Sequence, residues 1–200
     1  MIKKTIIPIL FLTFLNSCFV NTPSYHVSGT NELFTKNPNQ SKWIVYFGEG
    51  SYGAEHEVKT QIIADFQELF PEKIEFIHQS LSIDNDEFTR DKMNEEDLED
   101  IREETNSEIL MVFKIQMKYQ TQDQLFSIKK VTDEKYRNMF IFLDVYDLHT
   151  KKLLYTKYSF SQLKIGDSGD FIAKTGIKTQ ALKTYEKLKN DFIKFIHPKE

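Results

Sequence analysis

Three glycines and the carboxylates around them have spacing that could do chemistry. Gly48, Gly50 and Gly53 spell G-x-G-x-x-G between an apolar run, Lys42 to Phe47, and a helical pattern that begins at Ala54. Such a loop can cradle a pyrophosphate when its backbone amides approach the anion and a helix N-terminus faces it. The dinucleotide fingerprint also needs an acid closing the second strand, about 20 residues further on, to hold a ribose. Here that strand ends His78-Gln79-Ser80-Leu81-Ser82, and the first acid beyond it is Asp84. Glu49, Glu55 and Glu57 also surround the would-be phosphate. Like charges at about 4 Å repel by about 4 kcal/mol at an effective dielectric near ~20. The stretch is therefore read as a tight strand-to-helix turn whose glycines allow close packing. A small-ligand or enzymatic site on the Gly48–Gly53 loop, with Glu49 and His56 converging, stands as the alternative.

The other reactive residues are scattered. His26, His56, His78, His149 and His197 fall one to an element or loop. Asp84-Asn85-Asp86-Glu87 lacks the glycine and the terminal glutamate of an EF-hand loop. G-x-S-x-G, H-E-x-x-H, C-x-x-C and Walker patterns are absent from the sequence. The expectation is a protein without catalytic activity, cofactor or metal. A net charge of −4 gives no electrostatic footprint for a nucleic-acid partner.

Cys18 is the sole cysteine, so no disulfide can form within the chain. It closes a leader in which Lys3 and Lys4 precede an apolar run from Thr5 to Leu15. That run is shorter than the roughly 20 residues of a membrane span and has the order of a secretory signal. Leu15-Asn16-Ser17-Cys18 resembles the lipobox of bacterial lipoproteins, with Asn16 the departure from the usual small or hydroxyl residue. The resemblance implies that residues 1–17 are a signal peptide and that Cys18 is acylated. Each buried CH₂ then contributes about 0.8 kcal/mol to membrane attachment. No aspartate and no acidic cluster follow Cys18, which favours a periplasm-facing place on the cell outer membrane.

Residues 18–40 are polar and carry Pro23, Gly29 and Pro38, and they read as a flexible tether. Residues 41–200 suit one domain. Seventeen Phe and nine Tyr can build its core. Lys42–Phe47 is a strand apolar on both faces. Ala54 to Phe70 carries a helical stripe closed by Pro71, and Lys73 to Leu81 returns as a strand, which makes a right-handed βαβ unit. Asn94 can cap a second helix and Asn106 can stop it in the left-handed conformation. Glu108 to Gln120, Asn138 to Leu148 and Leu153 to Ser161 are strands, the last two a hairpin. A final helix runs from Phe171 to Ile196, weakened at Gly176. The predicted fold is a single α+β / α/β domain, β-α-β-α-β-β-β-α, with helices on a mixed five-stranded sheet. Acids concentrate between Asp84 and Glu104 and lysines from Lys151 onward, which predicts one acidic and one basic surface and allows oligomerisation through them.

"DLEDIREETNSEILMVFKIQ" (Asp97 to Gln116) resembles the helix-then-strand stretch of the TolB N-terminal, CsgG and LpoB group. "FIFLDVYDLHTKKLLYTKYSFS" (Phe140 to Ser161) resembles its hairpin, with Asp147 ending a strand and His149-Thr150-Lys151 as a tip lacking the usual glycine. The likeness covers about Lys42 to Ile196. It implies a non-enzymatic envelope lipoprotein that acts as adaptor, regulator or assembly factor by binding another envelope protein. The connection from Tyr119 to Tyr136 is too short and polar for the membrane-inserting hairpins of pore-forming members.

Overall fold

The computed structural model describes residues 22–48, 55–77, 93–121, 135–165 and 176–198. Its elements run β1 (Ser24–Asn31), β2 (Trp43–Phe47), α1 (Glu55–Leu69), β3 (Ile74–Ile77), α2 (Glu95–Thr105), β4 (Ile109–Thr121), β5 (Lys135–Asp147), β6 (Lys152–Ile165) and α3 (Ile177–Ile196). They form one mixed sheet in the order β1-β6-β5-β4-β2-β3. β2 pairs parallel with β3 and β4, and every other pairing is antiparallel. The α+β class and the single domain are as expected from sequence, with six strands in place of five.

The additional strand comes from the segment read as tether. Tyr25 and Val27 are partly buried on the inner side of β1, while Ser24, His26, Ser28, Gly29, Thr30 and Asn31 are exposed. An edge strand against one neighbour needs only that much apolar surface. Further along, Phe34 is buried against Trp43 and Phe195, and the Trp43 indole N–H donates to the Pro38 carbonyl at 2.9 Å. Residues 24–41 therefore belong to the domain.

β2 is buried on both faces because helices cover both. On the first face lie α1 and α3. Val58, Ile62 and Phe66 recur one turn apart on α1. Ala181, Tyr185, Leu188, Phe192 and Phe195 do the same on α3. These side chains meet Trp43, Val45, Met111, Phe113, Ile141, Leu143 and Tyr155 of the sheet. On the second face α2 covers Ile44, Tyr46, Leu110, Tyr146 and Leu148 with Leu98 and Ile101. The charged helices thus stand on opposite faces, acidic α2 on one and lysine-bearing α3 on the other.

Both asparagine signals hold. Asn94 Oδ1 accepts from the Asp97 N–H at 2.8 Å, and Asn106 sits at φ 49° with its N–H on the Arg102 carbonyl. Gly176 is a correction. It lies at φ −60°, ψ 159° as the residue before α3, outside the helix it was expected to weaken.

The β5–β6 turn is closed by Asp147, whose Oδ1 accepts from the His149 N–H at 2.9 Å and the Thr150 N–H at 3.1 Å. Lys151 then takes φ 56°, the conformation in which glycine is costless. Lys151→Gly is expected to raise stability by about 0.5–1 kcal/mol, the relieved strain exceeding the lost half-exposed pair with Glu99 at 3.1 Å. A urea midpoint unchanged or lower would contradict this.

Candidate docking face

Most sequence-picked site residues do not come together. Cys18, Glu49, Gly50, Gly53, His78 and Asp84 to Glu87 lie outside the described residues. Gly48 closes β2, its N–H on the Phe113 carbonyl at 2.8 Å. A Cβ there would meet nothing nearer than 3.6 Å, so packing does not require glycine at 48. His56 is exposed in the first turn of α1, and Glu55 there pairs with Lys59. His26, His149 and His197 occupy three other places. Among the described residues no three of His, Cys, Asp and Glu gather to hold a metal.

Two polar constellations lie on the α1/α3 side. Beneath α3, the buried Arg137 Nε donates to Gln180 Oε1 at 2.7 Å. The Gln180 amide nitrogen donates to the Arg137 and Ser161 carbonyls and to Ser161 Oγ, while Ser161 and Thr184 hydroxyls sit 2.6 Å apart. This closed network sets the register of α3 on β5 and β6. Gln180 and Thr184 stand one turn apart in the apolar stripe, a signal the sequence reading passed over. A groove of about 270 Å³ between α1 and α3 is lined by Gln61, Asp65, Tyr185, Glu186 and Lys189. Its lining polar groups already pair with one another, Lys189 Nζ on Asp65 Oδ2 at 2.9 Å, with the Gln61 amide on the other oxygen at 3.0 Å.

The second sheet face is different. α2 crosses only its base. Lys42 Nζ reaches the Thr105 carbonyl at one end of the helix, and the Met93 N–H reaches the Tyr146 hydroxyl ahead of the other. Beyond it the pleat turns Phe140 and Phe142 of β5 and Tyr158 and Phe160 of β6 to the same side. Phe140 lies directly opposite Phe160, and Phe142 opposite Tyr158. Ring centroids are 4.8 Å apart for Phe140–Phe160, 5.6 Å for Phe142–Tyr158, and 6.1 Å for the stacked Phe140–Phe142 pair. All four rings are half-buried, and among the described residues no helix lies over them. Gln116 and Lys114 of β4 flank this quartet on one side, and His26 and Ser28 of β1 on the other. Toward the far end stand Lys118 opposite Asn138, Gln162 bonded to Asn138 at 3.1 Å, and Lys164. Toward α2 stand Asp144 and Thr156.

Asp147 marks the α2 end of the same hairpin. Burial alone would raise its pKa. The Thr150 N–H, Lys36 at 3.1 Å and the His149 N–H outweigh burial and hold the carboxyl below the usual carboxylate range. A depressed folded value contributes stability above the unfolded value, near ~4, and loses it as pH falls through the folded one. Asp147→Asn is expected to cost about 1 kcal/mol at neutral pH and to flatten the acid limb below about pH 4. Urea titrations at neutral and acid pH check this. Asp65, shifted in the same direction, keeps part of the slope.

Fold and site together define an α+β domain with a mixed six-stranded sheet, covered by α1 and α3 on one face and, among the described residues, by α2 alone on the other, where the aromatic quartet lies. No protein-family model matches the chain, and no curated protein does. Solved structures align over most of the chain at low TM-scores. The hypothetical protein CT253 of Chlamydia trachomatis aligns at TM-score 0.46 and 9% identity, over 78% of this chain and 98% of that one. A PelC dodecamer from Paraburkholderia phytofirmans aligns at 0.41 and 10%, over 82% and 92%. The lipoprotein GNA1162 of Neisseria meningitidis aligns at 0.36 and 10%, over 76% and 98%. At that level the likeness transfers no role to this chain. No helix among the described residues is long and apolar enough to cross a membrane.

Proposed function

We propose that this protein is a lipid-anchored envelope protein without enzymatic activity, which holds another protein on the aromatic face of its sheet. The observation that carries the reading is the Phe140/Phe142/Tyr158/Phe160 quartet. Four adjoining half-buried rings on a central strand pair, framed by polar side chains, have the make-up of an interface core with its rim. The leader and Cys18 supply the address, the cell outer membrane facing the periplasm, and the likeness to the TolB N-terminal, CsgG and LpoB group supports an adaptor, regulator or assembly role. β1 shortens the reach. Six residue steps separate Cys18 from Ser24, a span of at most about 20 Å.

The test places a benzophenone amino acid at Phe160 of the full chain in the native cell. Irradiation is expected to yield one identified envelope protein as crosslink partner, and Phe140→Ser in the same chain to abolish it. Cys18→Ala is expected to move the protein from the membrane to the soluble fraction. Crosslinks to lipid alone, or a partner retained by Phe140→Ser, would overturn the docking reading. Retention of Cys18→Ala in the membrane would overturn the anchor.

A further inference from the structure

We infer that the outward side of α3 is a membrane-contact surface, whose lysines lie against anionic phospholipid headgroups and turn the opposite sheet face away from the bilayer. The inference rests on the Cys18 anchor proposed above and adds the orientation of the anchored domain.

α3 presents Lys178, Lys183, Lys187 and Lys194 to solvent. At ~100° per residue, Lys183, Lys187 and Lys194 fall on one line of the exposed side, about 16 Å long. Among the described residues these four ammonium groups have no ion-pair partner. The other charges of the helix are used internally. Lys189 turns to α1 and holds Asp65 at 2.9 Å. Asp191 turns to the sheet, where Lys157 at 2.7 Å and the Tyr155 hydroxyl at 3.0 Å hold it. Glu186 is the one acid of α3 left exposed beside the lysines.

The opposite side carries the opposite sign. Glu95, Glu96, Asp97, Asp100, Glu103 and Glu104 of α2 are all exposed on the second face. The two helices stand on either side of one sheet, so the charges are separated by about 20 Å, two packing layers of ~10 Å. A chain of net charge −4 is repelled as a whole by an anionic surface. The separated charges still turn it, basic side inward and acidic side outward.

Reach permits that pose. Ser24 begins β1 in the plane of the sheet, and α3 packs on β1. The outer side of α3 stands about 15 Å from that plane, a helix layer plus its side chains. The link from Cys18 to Ser24 spans at most about 20 Å, so the anchor can hold α3 on the headgroups. The end of the sheet at Asn31 lies about 23 Å further along β1, and standing on it would exceed the link. The α2 side is within reach and is refused by its acids.

Magnitudes favour a lipid surface over the α2 of a second copy. Exposed ion pairs between two helices strengthen binding a few-fold each, and this line of lysines offers no apolar side chain around which a stable dimer could close. A bilayer asks less of it. The anchor already holds the domain at the surface, so the lysines, each contributing about fivefold, need only choose among orientations.

The test uses the acylated full chain in vesicles of phosphatidylglycerol and phosphatidylcholine in equal parts, or of phosphatidylcholine alone. Acylation occupies Cys18, the sole native thiol, so Asn190→Cys or Glu96→Cys gives one position for a donor fluorophore. Asn190 is exposed within the lysine line, and Glu96 is exposed on α2. Energy transfer to an acceptor-labelled lipid is expected to be higher from position 190 than from position 96 in the anionic vesicles. High salt or neutral vesicles should narrow the difference. Lys183→Glu, Lys187→Glu and Lys194→Glu together should abolish it, and Gln at the same three positions should weaken it less. Equal transfer from the two positions, higher transfer from position 96, or a difference indifferent to the lysine changes would overturn the orientation while leaving the anchor intact. Chain that leaves both kinds of vesicle overturns the anchor, and the orientation with it. Dimers that the three Glu substitutions split would make a second copy the occupant and sink the inference.

Discussion

Trp43→Ala is expected to remove about 4 kcal/mol of stability. Trp43 is wholly buried at the meeting of three structural parts. Its ring stacks on Phe70 at 4.5 Å and 16°, just beyond α1. It meets Phe192 of α3 edge-on at 6.2 Å, and Phe34 of the β1–β2 connection lies at 5.9 Å. The substitution opens a void among large rings held by separate elements, where relaxation is limited. It also strips the Pro38 carbonyl of its 2.9 Å donor. Domains of this size are stable by about 5–15 kcal/mol, so the loss is a large share of the whole. A fall in Tm of about 10 °C is the thermal counterpart. Trp43→Phe keeps most of the stacking and should cost about 1–2 kcal/mol. Because Trp43 is the sole tryptophan, unfolding of the variants must be followed by circular dichroism. A loss under about 2 kcal/mol for Trp43→Ala would show that the three parts do not depend on it.

What the sequence showed and what it hid divide along physical lines. Asn94 and Asn106 act through their own side chains and backbone within a few residues, so both ends of α2 were legible. The βαβ unit was legible because Trp43 to Tyr46 is apolar without alternation and the α1 stripe is periodic. β1 was hidden because an edge strand needs only Tyr25 and Val27 inward, and polar residues in alternation with them read as linker. The aromatic quartet was hidden for another reason. Phe140, Ile141, Phe142 and Leu143 form one unbroken apolar run, which predicts a strand covered on both sides. Only the topology shows that α2 reaches the base of the second face and stops short of the rings. The glycine loop reads in sequence as a tight turn whose glycines allow close packing; a Cβ at Gly48 would meet nothing nearer than 3.6 Å, so that glycine is not required by packing, and Gly50 and Gly53 lie outside the described residues.

Gly29→Val is expected to release β1 from the sheet while the rest of the fold survives. Gly29 holds φ 130°, which a β-branched residue does not adopt without strain. A Cβ built there lies 2.2 Å from the Thr156 carbonyl oxygen and 2.6 Å from the Lys157 Cα. Both are backbone atoms of β6, which is fixed on its other side by β5, so the neighbour cannot yield. The strand must either move bodily or detach. Detachment forfeits the eight-residue pairing with β6 and the inward packing of Tyr25 and Val27, and it exposes the β6 edge. Against this, each freed residue recovers about 1–2 kcal/mol of backbone entropy, so detachment costs far less than the lost contacts alone. Hydrogen exchange separates the outcomes. Protection should vanish across Ser24–Asn31, at the Glu32 amide that now donates to the Leu154 carbonyl at 2.8 Å, and along the β1-facing amides of β6, while β2 and β4 stay protected. Uniform loss of protection would mean that β1 is integral to the cooperative unit; unchanged protection would mean that β6 accommodates the side chain. Under the anchoring proposed for Cys18, release also lengthens the free link from six residue steps, ending at Ser24, to about 16, ending at the buried Phe34, which raises its r.m.s. span from about 13 Å to about 22 Å. Under that reading Gly29 sets the reach of the domain from the membrane.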